Sequence, residues 1–297
     1  TMRTMSLYES GESSGEVSLE HLFDAPESIF GQNDHDISSL SYIMCRGGWP
    51  HAIDMKEKAA LSQAIDYYDA VVRSDINRAD GINKNPERVK KLMRSYARHQ
   101  GAQVQNTMLR DDIIANDIDG LSVDTVVSYI NALKKIFVIE DMPAWNPNLR
   151  SKTAIRSSDT RYYSDPSIAA AALGIGPKDL IEDLNTLGLL FETMCVRDLR
   201  VYAGYIGGEV FHFRDKTGLE CDAVVHLRNG SYGLIEVKLG GERLIEEGAA
   251  NLKALCDKID TTKMKSPSFM MILIGVGSYA YRREDGIYIV PIGCLKN

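Results

Sequence analysis

Two carboxylates and an amine stand in an Asp-x13-Glu-x-Lys array made of Asp222, Glu236 and Lys238. Carboxylate oxygens suit hard divalent cations such as Mg²⁺ or Mn²⁺, at about 2.0–2.2 Å for Mg²⁺. An adjacent amine can balance charge that builds on a phosphate during substitution. Metal-assisted cleavage of a phosphodiester is therefore the chemistry these residue types allow. A lone Glu-x-Lys arises roughly once by chance in a chain of this length, so position must carry the case.

Side chains alternate faces along a strand, and only residues of like parity meet on one side. Two runs, 219–227 and 231–239, read as strands. Leu219, Cys221, Ala223, Val225 and Leu227 make an apolar face, matched by Ile235, Val237 and Leu239. Glu220, Asp222, Val224 and His226 then share the other face with Leu234, Glu236 and Lys238. Arg228-Asn229-Gly230 suits a three-residue hairpin loop with Gly230 left-handed, which sets Asp222 opposite Glu236. A two-residue Asn229-Gly230 turn would set Asp222 opposite Val237, and the apolar pattern favours the longer loop.

A third acid, Glu192, lies in a helix expected over 187–203. Its helical neighbours are Gly188, Leu189, Cys195, Val196 and Leu199, an apolar stripe rather than a polar face. A carboxylate there needs a cationic partner or a metal. Beyond it the order is a strand at 209–214, the Asp222 strand, the Glu236 strand, a helix at 242–259 and an apolar strand at 269–276. This order resembles the PD-(D/E)XK nuclease-like core, a helix-strand-strand-strand-helix-strand unit, over about the last 110 residues.

The resemblance implies that Asp222 and Glu236 ligate Mg²⁺ or Mn²⁺, with the Val237 carbonyl as a further ligand and Glu192 completing the metal site directly or through water. It implies that the ion activates water and that Lys238 orients it or neutralises the phosphate. Without the carboxylates, Lys238 reads as a solvated strand lysine. Related nucleases place a Gln or Lys on the next helix. This helix has no Gln; Asn251 or Lys253 could substitute, but a solvated helix face is the commoner explanation for both. Arg214 and Lys216 precede the Asp222 strand, either as phosphate contacts or as loop charges.

The middle of the chain reads as helical. Pro86 opens a helix to about residue 99, a second covers 105–115, and Ser122 caps a third whose apolar stripe is Val126, Val127, Ile130, Leu133 and Ile136. The run 137–140 is strand-like and Pro143 ends it. Three helices, a strand and a turn suggest a winged helix-turn-helix. Its third helix would offer Ser128, Asn131, Lys134 and Lys135 to a DNA major groove. A protein-packing role is the alternative, since Asp119 and Asp124 repel phosphate. Upstream, residues 54–80 read as one long amphipathic helix with Ala60, Ile65, Tyr68, Val72 and Ile76 inward.

The 297 residues carry a net charge of −7 and 44% hydrophobic side chains, the profile of a soluble globular protein with two or three domains. No apolar run nears the ~20 residues of a membrane span, and no secretory leader is visible, so a cytoplasmic protein without a membrane partner is expected. Charge is uneven: residues 1–85 hold 7 basic and 14 acidic side chains, whereas 86–161 hold 12 and 9. The basic middle is a candidate phosphate-facing surface. Five widely spaced cysteines in apolar surroundings suggest reduced packing residues. The six histidines show no ligand spacing.

A wider resemblance spans nearly the whole chain. Arg3-Thr4-Met5-Ser6-Leu7-Tyr8-Glu9, Arg46-Gly47-Gly48-Trp49-Pro50, Pro147-Asn148-Leu149-Arg150, Tyr163-Ser164-Asp165-Pro166, Phe191-Glu192 and Glu236-Val237-Lys238 together look like the C-terminal part of a prokaryotic AAA-type P-loop ATPase family. The fold class implied is α+β and multidomain: a helical lid and remnant of the ATPase over 1–80, a winged helix over 81–160, and a PD-(D/E)XK restriction-endonuclease-like core over 161–297. There is no Gly-x4-Gly-Lys-Ser/Thr motif, so no phosphate-binding loop forms here and ATP would be handled only by a missing N-terminal domain. The expected function is a Mg²⁺-dependent DNA nuclease-like module, with homo-oligomers forming through the ATPase part. The alternative is a non-catalytic DNA- or protein-binding regulatory module.

Overall fold

The computed structural model describes residues 2–115, 120–146 and 158–297. It is an α+β structure built on a mixed seven-stranded sheet in the order β2-β7-β8-β6-β5-β4-β3. The strands are β2 (Gly31–Gln32), β3 (Gly208–Arg214), β4 (Glu220–Leu227), β5 (Tyr232–Lys238), β6 (Phe269–Ile274), β7 (Tyr279–Arg282) and β8 (Tyr288–Pro291). β3, β4 and β5 form an antiparallel meander; β5, β6 and β8 run parallel.

Two helices sandwich this sheet. The Glu192 helix, Leu184–Tyr205, is capped by the Asp183 carboxylate, which accepts from the N–H groups of Asn185 and Thr186. It packs with Ala223, Val225, Ile235, Val237, Met271 and Leu273 in the larger core. The crossover helix, Glu242–Lys258, presents Ala249, Leu252 and Leu255 to the opposite parity, Val224, Leu234, Ile272 and Ile274. Strand β5 is covered on both sides, so only Lys238 at its end is partly open. Before the crossover helix Gly240 adopts φ +130°, and a Cβ there would meet the Val276 carbonyl oxygen at 2.3 Å. Only glycine fits that turn.

The hairpin joining β4 and β5 has the expected register. Val224 pairs with Leu234 and Ala223 with Ile235, the loop is Arg228-Asn229-Gly230, and Gly230 sits at φ +82°. The expected face assignment fails one step further along. Phe211 pairs with Val224 but Phe213 with Cys221, so Asp222 and Ala223 together oppose the single His212 of β3. This β-bulge shifts the parity. Cys221 joins the core under the crossover helix, away from Ala223 and Val225.

In the middle segment, helices Pro86–Arg98, Asn106–Ile114 and Val123–Lys135 match the expected spans, and Ser122 Oγ accepts from Thr125 N–H. The strand expected at 137–140 is interrupted. Phe137, 60% exposed at φ +58°, ends the third helix: its N–H donates to Lys134 and that of Val138 to Leu133. Those bonds are a Schellman motif with phenylalanine where glycine is usual. Val138 to Met142 then runs antiparallel to residues 160–164 as a short ribbon. Asp119 and the 147–152 stretch lie outside the described residues.

The helix expected over 54–80 is Glu57–Ala70 followed by a π turn, Val71–Asp75, and one further turn, Ile76–Arg78. The π turn changes phase, so Ala60, Ala64, Val71, Val72 and Ile76 point inward while Ile65 is 53% exposed. The N-terminal region is tied to the C-terminal sheet at two places. β2 adds to the edge at β7, and β1 (Val17–Ser18) pairs in parallel with β9 (Leu295–Lys296). Trp145, on the chain leaving the ribbon, is buried in the second core against Tyr232 and Phe213.

Candidate functional site

The expected trio meets. Lys238 Nζ lies 2.6 Å from Glu236 Oε2 and 3.2 Å from Asp222 Oδ2, with its side chain 21% exposed. The ladder pairing of β4 with β5 stops at Ala223, and from the bulge the Asp222 carboxylate takes the N–H of Val237 at 2.7 Å. Val237 thus meets Asp222 through its amide. Glu236 is 1% exposed, and its Oε1 is buried with no hydrogen-bond partner among the described residues.

Glu192 projects from its helix to the same neighbourhood. Tyr162 Oη, itself fully buried, donates to Glu192 Oε1. Burial, followed by the charge of Asp222, pushes the Glu192 carboxyl well above the usual carboxylate range. Burial and Asp222 also push Glu236 up, while Lys238 pulls it back. For Lys238, burial alone would lower the ammonium, but Asp222 and Glu236 more than reverse this and hold it protonated. One ammonium cannot neutralise three carboxylates, of which Glu236 is buried and Glu192 and Asp222 are partly so. Burial and mutual repulsion therefore favour the protonated form of both glutamates, while the Tyr162 hydroxyl, as a donor, pulls Glu192 back toward the ionised form.

A cavity of about 100 Å³ opens beside Glu192 and Asp222. Its walls are Gly101, Gln103, Thr160 and Tyr162 of the middle segment and Glu192, His212, Phe213, Arg214, Glu220, Cys221 and Asp222 of the sheet side. Tyr162, Gln103 and His212 had no role on sequence grounds. Tyr162 is an aromatic in a segment with no periodic signal, and His212 lies on a strand with no ligand spacing, so nothing in the sequence marks them.

The charges and donor set fit a hard cation in kind, because two carboxylates share a point and one of their oxygens is unsatisfied. Mg²⁺ commonly takes one or two carboxylates and keeps water in its other positions. Among the described residues, however, no three His, Cys, Asp or Glu side chains converge tightly enough to hold a metal ion. Tyr162 holds Glu192 beside Asp222 at the cavity wall.

The other expected residues are dispersed. Arg214 is exposed and 3.7 Å from Glu220, at the cavity mouth; Lys216 is exposed in the turn beyond it. Lys253 reaches Asp285 at 2.6 Å instead of the carboxylates, which removes it from the site. On the third helix Asn131 and Lys135 are exposed and Ser128 half-buried, whereas Lys134 is drawn to Asp141 at 2.7 Å. All five cysteines are free, and four are buried.

The motifs at 3–9, 46–50 and 163–166 gather at a second place, which is structural. Arg197 lies fully buried between Asp165 at 3.0 Å and Asp198 at 2.8 Å. Asp165 also accepts from the N–H groups of Gly48 and Ser167, and Asp198 from that of Leu7. Gly47 takes φ +75°, where a Cβ would lie 2.5 Å from Asp165 Oδ1, and Trp49 Nε1 donates to Ser167. Arg46 makes a two-pronged pair with Glu12, so its observed role is to hold the N-terminal segment.

Residues 37–179 match a domain of unknown function (DUF8612), and residues 187–295 match another, DUF4143. The latter is commonly found in the C-terminal region of AAA-type ATPases. No curated protein matches the chain. No described helix is long and apolar enough to cross a membrane.

Proposed function

We propose that this chain is the C-terminal portion of an AAA-family ATPase and that its sheet domain is a Mg²⁺- or Mn²⁺-dependent, nuclease-like module acting on DNA. The observation that carries this reading is the junction of Asp222, Glu236 and Lys238 on a helix-strand-strand-strand-helix-strand unit, with Glu236 Oε1 left unpaired. Asp222 and Glu236 would hold the cation. A bound Mg²⁺ would supply Lewis-acid polarisation of the phosphate. Lys238, released in part from the acids it now neutralises, would face charge developing on the phosphate oxygens. Glu192 would act on the pair from the position that Tyr162 fixes. Arg214 at the cavity mouth and Lys216 in the turn beyond it would serve as phosphate contacts, with Asn131 and Lys135 available on the middle segment's third helix.

A second reading, a non-catalytic DNA- or protein-binding regulatory module, is favoured by one feature. Lys238 already pairs with one oxygen of each acid, an arrangement that offsets their charge without a metal. Cleavage of single-stranded, duplex and branched DNA in Mg²⁺ or Mn²⁺, comparing the parent protein with Lys238→Ala, separates the two. Cleavage that disappears in Lys238→Ala supports the nuclease. No cleavage, together with no calorimetric Mn²⁺ binding at millimolar metal, supports the regulatory module.

A further inference from the structure

Glu192 and Asp222 are flanked by a wall that belongs to another part of the chain. Gly101 and Tyr162 are joined as one unit, because Gly101 N–H donates to Arg161 and Arg161 N–H donates to Ala102. Arg161 is in turn fixed to Asp141 and Asn106, so the unit moves with the helical middle segment. It lies directly on the site. Tyr162 Oη donates to Glu192, and a Cβ on Gly101 would sit 2.8 Å from Glu192 Oε1. Gln103 Nε2 lies 3.4 Å from the ring nitrogens of His212, the residue opposite the bulge that carries Asp222. What remains beside Glu192 and Asp222 is a cavity of about 100 Å³, against the roughly 300 Å³ or more of a typical ligand site.

We infer that residues 101–103 and 160–162 form an autoinhibitory cover, and that a cation and a phosphodiester gain the site only when the middle segment lifts from it. This rests on the metal-site reading above and adds its regulation. The side-chain latches act beside the backbone bonds of Trp145 and His212 and the burial of Trp145 against the sheet, so removing them raises the open fraction without freeing the segment. An apparent affinity is reduced by the fraction of molecules in the competent form, and each net hydrogen bond removed shifts that fraction several-fold.

The test uses the full chain with Mn²⁺ alone as the probe. Calorimetry compares the parent protein, Gln103→Ala, and Tyr162→Phe/Gln103→Ala, with circular dichroism confirming the fold of each. Gln103→Ala touches none of the acids, so any gain it brings comes from the cover. The expected result is tighter Mn²⁺ binding in Gln103→Ala and about tenfold or more in the double variant. Faster hydrogen exchange at the amides of Trp145 and His212, which bond the two parts together, should accompany it. Equal Mn²⁺ affinity and equal exchange in all three proteins overturn the cover even if all of them cleave DNA. Tighter binding without cleavage by any of them keeps the cover and removes the nuclease reading instead.

Discussion

Replacing Arg197 by methionine tests the buried ion group in which the chain's dispersed motifs meet. The guanidinium is 1% exposed, its two acids are 0% exposed, and the contacts are 2.8 and 3.0 Å. At an effective dielectric of about 20, each contact carries roughly 5 kcal/mol of attraction, most of it offset by desolvation. Removing the cation leaves two buried carboxylates facing each other, with only backbone and hydroxyl donors. Burial pushes Asp198 above the ordinary carboxylate range even with Arg197 present. Asp165 is held below that range because Arg197, Ser167 and Gly48 outweigh its burial. The expected loss is about 3–5 kcal/mol, a fifth or more of the roughly 5–15 kcal/mol that holds a domain together. Arg197→Lys keeps the charge but not the two-sided fork, and should recover more than half of that loss. Urea unfolding followed by tryptophan fluorescence measures both. A Lys variant as unstable as the Met variant would show that shape, not charge, sets the cost, and an Arg197→Met loss under about 1 kcal/mol would refute the reasoning altogether.

Phe137→Gly should stabilise by about 0.5–1 kcal/mol, because the left-handed end of the third helix suits glycine and the ring removed is largely exposed; a fall in thermal midpoint would count against that account of the turn. Trp145→Ala should cost about 3–5 kcal/mol and loosen the middle segment from the sheet, read as lost urea stability and new protease sensitivity near residue 145. His212 gives a pH signature. Burial holds its folded imidazolium below the ordinary histidine range. The unfolded chain therefore binds more protons as pH falls through about 6.5, so this contribution is full above that pH and lost below it. Stability of the parent protein should drop more steeply between about pH 7 and 5 than that of His212→Gln, and parallel pH curves would exclude the histidine as a cause.

Local pattern was enough to place the chemistry on its elements. The alternating apolar residues and Arg228-Asn229-Gly230 determined the hairpin register, the stripe around Glu192 placed that acid inward, and Ser122 and Pro86 marked helix starts, because each depends on neighbours a few residues away. The tertiary structure decided the rest. The bulge at Asp222–Ala223 arises from pairing with β3 and has no signature within β4 itself. Tyr162 on Glu192, Trp145 in the sheet's second core, Arg197 between Asp165 and Asp198, and Gly31–Gln32 at the sheet edge join residues up to some 250 positions apart. Periodicity reports which face of an element is buried, but not which distant segment buries it. The wall over the candidate site was therefore legible only once the chain had closed on itself.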